Sequence, residues 1–324
     1  MFTALRHART APSAARGAHR PARSWRPAAF ALCLCAAWGT AAQADGDILL
    51  VKSGDTRLYH EVEEAFQAGL QRLCTNRPTC PETRSVTAAE LADANTAAYG
   101  LVIMVGQKAA RLAQQVSPHT RQMHILISHH DFAEVATCCN KAHALYLEQP
   151  LLRQLDFIRF LLPDRRRVAV LLGEHSAHHR EELESLGRGT GLDLQFREVT
   201  SPDDIGRLLH ELRDEADLLL SLPDPSIYNQ DTLANILLST YRNQIPVIGF
   251  SRGMVRAGAL AALHSTPQTV GREAAEKSLA LLGGEQDAKA YPARHDFSIN
   301  PTVARSLHLQ LPTDDDISRR WRDP

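Results

Sequence analysis

The sequence lacks several things that would place it at once. Beyond residue 44 no apolar run reaches 18 residues, which excludes a conventional membrane-spanning helix there. There is no surplus of basic charge: past residue 44, 30 basic residues stand against 37 acidic ones, so a nucleic-acid surface with a concentrated basic patch is excluded. No exact repeat, low-complexity tract or Gly/Ser linker interrupts the chain. Cysteine is sparse. Two of the six, Cys33 and Cys35, fall inside the N-terminal apolar segment, leaving Cys74, Cys80, Cys138 and Cys139. No C-x₂-C knuckle occurs, so a zinc site is not expected, nor is any cofactor.

The first 44 residues carry six Arg and no Asp, Glu or Lys. Their apolar stretch, 28–37, is too short to span a bilayer, and Ala42-Gln43-Ala44 is a small-x-small cleavage signature. Residues 1–44 therefore read as a secretory signal peptide cut after Ala44, which predicts a periplasmic protein. A lipoprotein is less favoured, because neither Cys33 nor Cys35 follows a Leu-small-small tripeptide. Export permits disulfides. Cys74 and Cys80 flank the loop CTNRPTC and are the expected bridge, while Cys138-Cys139 stays open between free thiols and cross-links.

Apolar runs ending in small or polar loops recur along the chain. Strands are expected at 47–52, 99–105 and 123–127, then at 167–172, 192–199, 217–222 and 246–250. Helical spacing lies between them at 59–73, 88–98, 108–115, 151–162, 177–186, 205–212 and 231–241. Residues 142–149 read as a crossover, and Val270–Leu282 as a long helix capped by Thr266-Pro267 and closed by Gly283-Gly284. Alternating strand and helix implies parallel α/β sheets, and a chain of this length implies two domains. The expected fold is two Rossmann-like, doubly wound lobes joined by three crossovers. Residues 45–145 with 266–292 form the N-terminal lobe, 146–265 with 293–312 the C-terminal lobe, and 313–324 a charged, frayed tail.

Ligands of such sheets bind beyond the carboxyl ends of the strands. That selects Ser53, Gly54, Asp55, Thr56, Gly106, Gln107, Lys108, Ser128, His129 and His130 on one side. On the other it selects Asp224, Tyr228, Asn229, Ser251, Arg252 and the turn to Met254. Asp224 lies between Pro223 and Pro225, where a turn role competes with ligand contact. His175, His178 and His179 of EHSAHH read as exposed histidines at a helix start. Arg165, Arg166 and Arg167 read as a solvated run.

Four blocks carry a resemblance: YLEQPLLRQLDFIRFLLPDRRRVAVLL, DLLLSLPDPSIYN, IPVIGFSRGMVRAGALAALHSTPQTVGREAAEKSLALLGG and INPTVARSLHLQLP. Their order and spacing resemble the solute-binding proteins of ABC transporters, in the group with the type I periplasmic-binding-protein fold that includes aromatic amino-acid binders. The resemblance covers about 47–312 and is strongest after Leu145. It implies a monomer that closes on a small ligand, an amino acid or similar, without catalysing a reaction. It also implies delivery to an ABC permease, or alternatively to a periplasmic sensor domain. The aromatic amino-acid specificity does not carry over. Gly106-Gln107, Cys138-Cys139-Asn140-Lys141 and Asp224-Pro225 depart from the family's Gly-Thr, Asn-x-Thr-Gly and Asp-Asn.

One competing motif remains. Gly249-Phe250-Ser251-Arg252-Gly253 matches G-x-S-x-G, with Glu285 or Asp287 and His295 following in the order a serine hydrolase requires. Against it, no HGGG loop precedes the motif and the segment after it is too short for a long helix.

Overall fold

The structure, a computed structural model, describes residues 46–139, 142–286 and 289–321. The predicted signal peptide, with Asn140, Lys141 and Asp287, lies outside them. No helix among the described residues is long and apolar enough to cross a membrane.

The chain opens with β1 (Ile48–Lys52), α1 (Arg57–Cys74), β2 (Thr83–Thr87), β3 (Leu101–Val105), α2 (Gln107–Ala110), β4 (Arg121–Ile127), α3 (His129–Cys138) and β5 (Ala142–Tyr146). It continues with α4 (Leu151–Leu161), β6 (Arg167–Leu172), α5 (Arg180–Thr190), β7 (Asp193–Glu198), α6 (Ile205–Glu211), β8 (Leu218–Leu220), α7 (Leu233–Arg242), β9 (Val247–Gly249), α8 (Arg252–Ala257) and β10 (Ala261–His264). It ends with α9 (Pro267–Leu282), β11 (Lys289–Ala290), β12 (Asp296–Ile299), α10 (Pro301–Ser306) and α11 (Asp314–Trp321).

Two six-stranded sheets result, ordered β11-β5-β4-β3-β1-β2 and β12-β10-β9-β8-β6-β7. Every pairing is parallel except β10 with β12. The first five strands of each sheet thus repeat one winding, and the fold is two α/β lobes. Strands β1 and β3 are buried at every position, as parallel strands covered on both faces must be. The chain passes between the sheets three times: at 147–150, at 265–266 and at 291–295. Helix α9 returns to the first lobe and lies on α1. Gly271 permits this contact, since a Cβ there would come within 2.5 Å of the Val62 carbonyl oxygen.

Several expectations are corrected. Residues 142–146 are not crossover but the fifth strand, all five buried, and the true crossover is only 147–150. The expected helix over 88–98 is two 3₁₀ turns, Leu91–Asp93 and Thr96–Ala98, because Leu91 and Thr96 are its only buried residues past Ala88 and five-residue spacing gives no helical face. Strand β2 was not expected, being the polar TRSVT at a sheet edge. The described part of the tail does not fray: Asp314–Trp321 is helical, with Ile317 and Trp321 buried in the second lobe's core and Trp321 edge-on to Phe157 at 5.2 Å. Cys74 and Cys80 form the expected disulfide, with Cα atoms 5.6 Å apart.

Candidate functional site

In each lobe the winding reverses beside its first strand, between β1 and β3 and between β6 and β8. Those are the topological switch points, where α/β sheets hold ligands. The loops that follow these strands, with those after β4 and β9, therefore define the candidate site.

In the first lobe, Ser53 is buried and serves the fold. Its hydroxyl donates to the Val105 carbonyl at 2.8 Å and accepts the Ala109 N–H at 2.9 Å, tying β1 to the start of α2. Gly106 makes this possible. Its φ of +89° suits glycine, and a Cβ would lie 2.7 Å from Ser53 Oγ and 3.0 Å from the Tyr59 ring. Gly54 is half-buried beside it, and Asp55, Thr56 and Lys108 are exposed. Asp55 accepts from His60 Nε2 at 2.7 Å. Gln107 Nε2 donates to Asp131 Oδ1, also at 2.7 Å. Ser128 caps α3 by accepting the Asp131 N–H at 2.9 Å. The strand before it carries a bulge at Leu126, whose φ of +53° re-aims the chain just ahead of Ser128.

The second lobe repeats this internal satisfaction. Asp224 is fully buried. Its Oδ2 accepts from Ser176 Oγ at 2.7 Å, and its Oδ1 accepts from Ser226 Oγ at 2.6 Å and Ser226 N–H at 3.0 Å. Burial raises its pKa, but these hydrogen bonds outweigh burial and hold the carboxyl below the usual range. Gly173 lets this cluster approach the end of β6, as a Cβ there would sit 2.5 Å from Ser226 Oγ. Asn229 accepts the Asp231 and Thr232 N–H groups and donates to the Pro225 carbonyl. Tyr228 is buried with its hydroxyl toward Ser221, neither having a hydrogen bond of ordinary geometry, and burial raises its pKa. Ser251 caps α8 by accepting the Met254 N–H at 3.2 Å. That helix is six residues long, and His295 packs edge-on to Trp321 at 5.9 Å. These features make Ser251 a helix cap.

What the structure brings together differs in part from the sequence selection. His129 and His130, at the start of α3, meet the loop after β6 on the other lobe. His129 stacks on His178 with ring centroids 5.5 Å apart, and His130 stands edge-on to His175 at 4.5 Å. Tyr146 and Tyr291, beside the crossovers, contact His129 and each other. Of the three histidines expected to be exposed, His178 is exposed and His175 half-buried, both against the other lobe's histidines, and His179 is buried. Burial lowers the pKa of His179 to about 4. No three His, Cys, Asp or Glu among the described residues are arranged to hold a metal ion. The sequence signal was present: EHSAHH follows β6 as Ser53 follows β1.

Beside this contact lies a cavity of about 720 Å³. The first lobe lines it with Arg57 and Glu61, the second with Phe250, Ser251, Arg252, Gly253 and Arg256, and the crossovers with Glu148, Gln149, Ser265 and Thr266. Of the residues selected from sequence, Ser251, Arg252 and Gly253 of the turn after them reach it. Glu148 is the notable group that sequence reading missed. Its carboxylate accepts the His129 N–H at 2.9 and 3.2 Å, and burial pushes its pKa up to about 7 against those hydrogen bonds. Gln149 Nε2 donates to Ser265 Oγ at 2.8 Å, linking two crossovers across the cavity floor.

Comparison with known proteins agrees with this architecture. No curated protein sequence matches the chain. Among solved structures, the ligand-free, open form of a substrate-binding protein with adhesive properties from Clostridium difficile superposes with a TM-score of 0.67 at 13% identity, covering 83% of this chain and 97% of that one. An ABC domain in complex with L-Trp from Streptococcus pneumonia gives 0.53 at 16% identity, covering 82% and 96%. A conserved domain protein from Vibrio cholerae gives 0.54 at 15%, covering 85% and 98%. At these identities the likeness is one of fold. The family model described as ABC transporter substrate binding protein matches residues 145–319, more than half of the sequence. The chain therefore belongs to the family of ABC transporter substrate-binding proteins.

Proposed function

We propose that this protein is exported, captures a small polar ligand between its lobes by hinge closure, and delivers it to a membrane permease. The observation that carries this reading is the cavity, whose walls come from both lobes and from two of the three crossovers. A ligand held there touches every part that must move together, and a few fixed polar groups in a closed site suffice for orientation. The expected lobe boundaries at 145/146, 265/266 and 292/293 are kept as part of this proposal, the first moved past Tyr146 because β5 runs to that residue, and the hinge is assigned to the crossovers. Export rests on the arginine-rich leader with its Ala-Gln-Ala cleavage signature, and the Cys74–Cys80 disulfide suits an oxidising compartment. Ligand contact by Ser53, Asp224 and Asn229 is indirect in this reading, since their side chains are engaged in shaping the loops. Arg252, Glu148 and the His129–His178 pair stand at the ligand's edge.

A thermal-shift screen of the chain from residue 45 onward, against amino acids, sugars and small acids, tests the reading. A ligand that binds only the folded state raises the melting temperature with concentration. Loss of that shift in a Gln149→Ala/Ser265→Ala double variant, with the fold retained, is expected. A ligand whose shift survives unchanged binds elsewhere, and that result counts against the cavity.

A further inference from the structure

The cavity wall carries a charge imbalance that the fold does not use. Arg252 and Arg256 lie one turn apart on α8, and both line the cavity. Among the described residues neither guanidinium has a hydrogen bond or an ion pair. Three other arginines of the same lobe are paired, Arg167 with Asp217, Arg180 with Glu184 and Glu198, and Arg207 with Asp204 and Glu211, while ones unpaired among the described residues, such as Arg188 and Arg242, lie outside the cavity. Within the cavity itself Arg57 is matched by Glu61, its Nε donating at 2.6 Å. The remaining carboxylate, Glu148, is turned toward α3, where both of its oxygens accept the His129 N–H. Both are exposed, so water screens their repulsion to a small cost, and an anion seated between them turns that cost into attraction. A concave site also concentrates the potential, and the guanidinium fork fits two oxygens of one oxyanion.

A second observation concerns the same cavity. Gln154 lines it, 3% exposed, with Nε2 donating to the Gln149 carbonyl at 3.1 Å. Its Oε1 is buried without a hydrogen-bond partner. Buried acceptors are almost always satisfied, so this one points to a donor supplied by a ligand or by a water the ligand orders.

Resting on the reading of this cavity as the ligand site, we propose that its ligand is a small oxyanion, a carboxylate or a phosphate, gripped by Arg252 and Arg256 and presenting a hydrogen-bond donor toward Gln154. The cavity's size admits a molecule well beyond a bare ion, and the donor requirement favours one with a hydroxyl or amide group.

Calorimetric titration of the protein with inorganic phosphate, succinate, the neutral succinamide, glucose and tryptophan tests this at several salt concentrations. Expected are binding by at least one oxyanion, none by succinamide, and an affinity that falls as salt rises. Phosphate without succinate assigns a phosphorylated ligand, and the reverse assigns a carboxylate. Arg252→Gln and Arg256→Gln each weaken oxyanion binding by about tenfold to a hundredfold, the loss of one charged hydrogen-bond partner. The equal charge change Arg188→Gln on α5 leaves it unaltered. Arg256→Lys, which keeps the charge and loses the fork, falls between and guards against a folding defect. Succinamide binding as tightly as succinate, or oxyanion binding unmoved in both glutamine variants, overturns the inference. If glucose alone binds and no oxyanion does, this inference fails while ligand capture stands; tryptophan is itself a carboxylate, and if it binds, an affinity unmoved in both glutamine variants counts against the inference. If none of the five compounds binds, both are contradicted.

Discussion

Replacing Glu148 by glutamine should make the protein more stable at alkaline pH and change little in mild acid. Glu148 is 8% exposed, at the crossover between β5 and α4, and burial raises its pKa from 4.5 to about 7. Among the described residues no cationic side chain pairs with it; its hydrogen bonds come from backbone N–H groups. A carboxyl whose folded pKa is raised favours the folded state fully below the unfolded value. That contribution is lost as pH climbs through the folded value, so the window runs from about pH 4.5 to 7. At about 1.36 kcal/mol per unit, the change between pH 5 and pH 8 is about 2.5 kcal/mol. Glutamine keeps the acceptor for the His129 N–H and removes the charge. Urea unfolding followed by circular dichroism, for both proteins at both pH values, isolates the effect, because every other titrating group is common to the two. The difference in stability between variant and parent should grow by about 2.5 kcal/mol in the variant's favour on going from pH 5 to pH 8. A difference that stays within about 0.5 kcal/mol of constant would refute the argument, because Glu148 would then be ionised at little cost.

Further outcomes follow from the same geometry. Gly106→Ala should cost about 1–3 kcal/mol in urea unfolding, combining a left-handed backbone with a Cβ placed 2.7 Å from Ser53 Oγ, and a cost near zero would show that the loop relaxes freely. Asp224→Ala should lower stability by about 2–4 kcal/mol, because it strands the buried Ser176 donor and removes the acceptor of half-buried Ser226; a loss of ligand affinity with stability intact would mean the carboxylate serves the ligand instead. Cys74→Ser should cost about 2 kcal/mol under oxidising conditions and nothing in excess dithiothreitol, the value expected for so short a loop. His179 has its folded pKa lowered to about 4, so it penalises the folded state progressively as pH falls from about 6.5 toward 4. His179→Gln should flatten the acid limb of the stability profile there, and an unchanged limb would contradict the burial argument.

Much of the fold was legible because its signal is local. Runs such as ILLVK and LVIMV must be buried on both faces, and parallel sheets follow from their alternation with helical spacing. The Thr266-Pro267 start was equally readable, and the structure completes it with a reciprocal cap between Thr266 and Thr269. The edge strand TRSVT was not readable, because an edge position tolerates polar residues that elsewhere mean loop. AHALY reads as a crossover from sequence because a five-residue apolar run does not announce whether it pairs or connects. The candidate site was less legible, since of the residues selected from sequence only Ser251, Arg252 and Gly253 of the turn after them line the cavity. Ser53, Asp224, Asn229 and Ser251 are hydrogen-bonding side chains at strand ends, as selected, yet each is occupied by nearby backbone or side-chain groups. Sequence shows the donor or acceptor but not whether a neighbouring group has already claimed it. The contact of His129 and His130 with His175 and His178 depends on how two lobes meet, which no local pattern encodes.

The proposed function requires the two lobes to close on a small molecule held at the crossovers. Small-angle X-ray scattering of the protein with and without a saturating ligand from the thermal-shift screen addresses it directly. Closure predicts a smaller radius of gyration in the bound state, reversed on removal of the ligand and diminished in Arg252→Gln/Arg256→Gln at the same ligand concentration. Stoichiometric binding with an unchanged radius of gyration would contradict it.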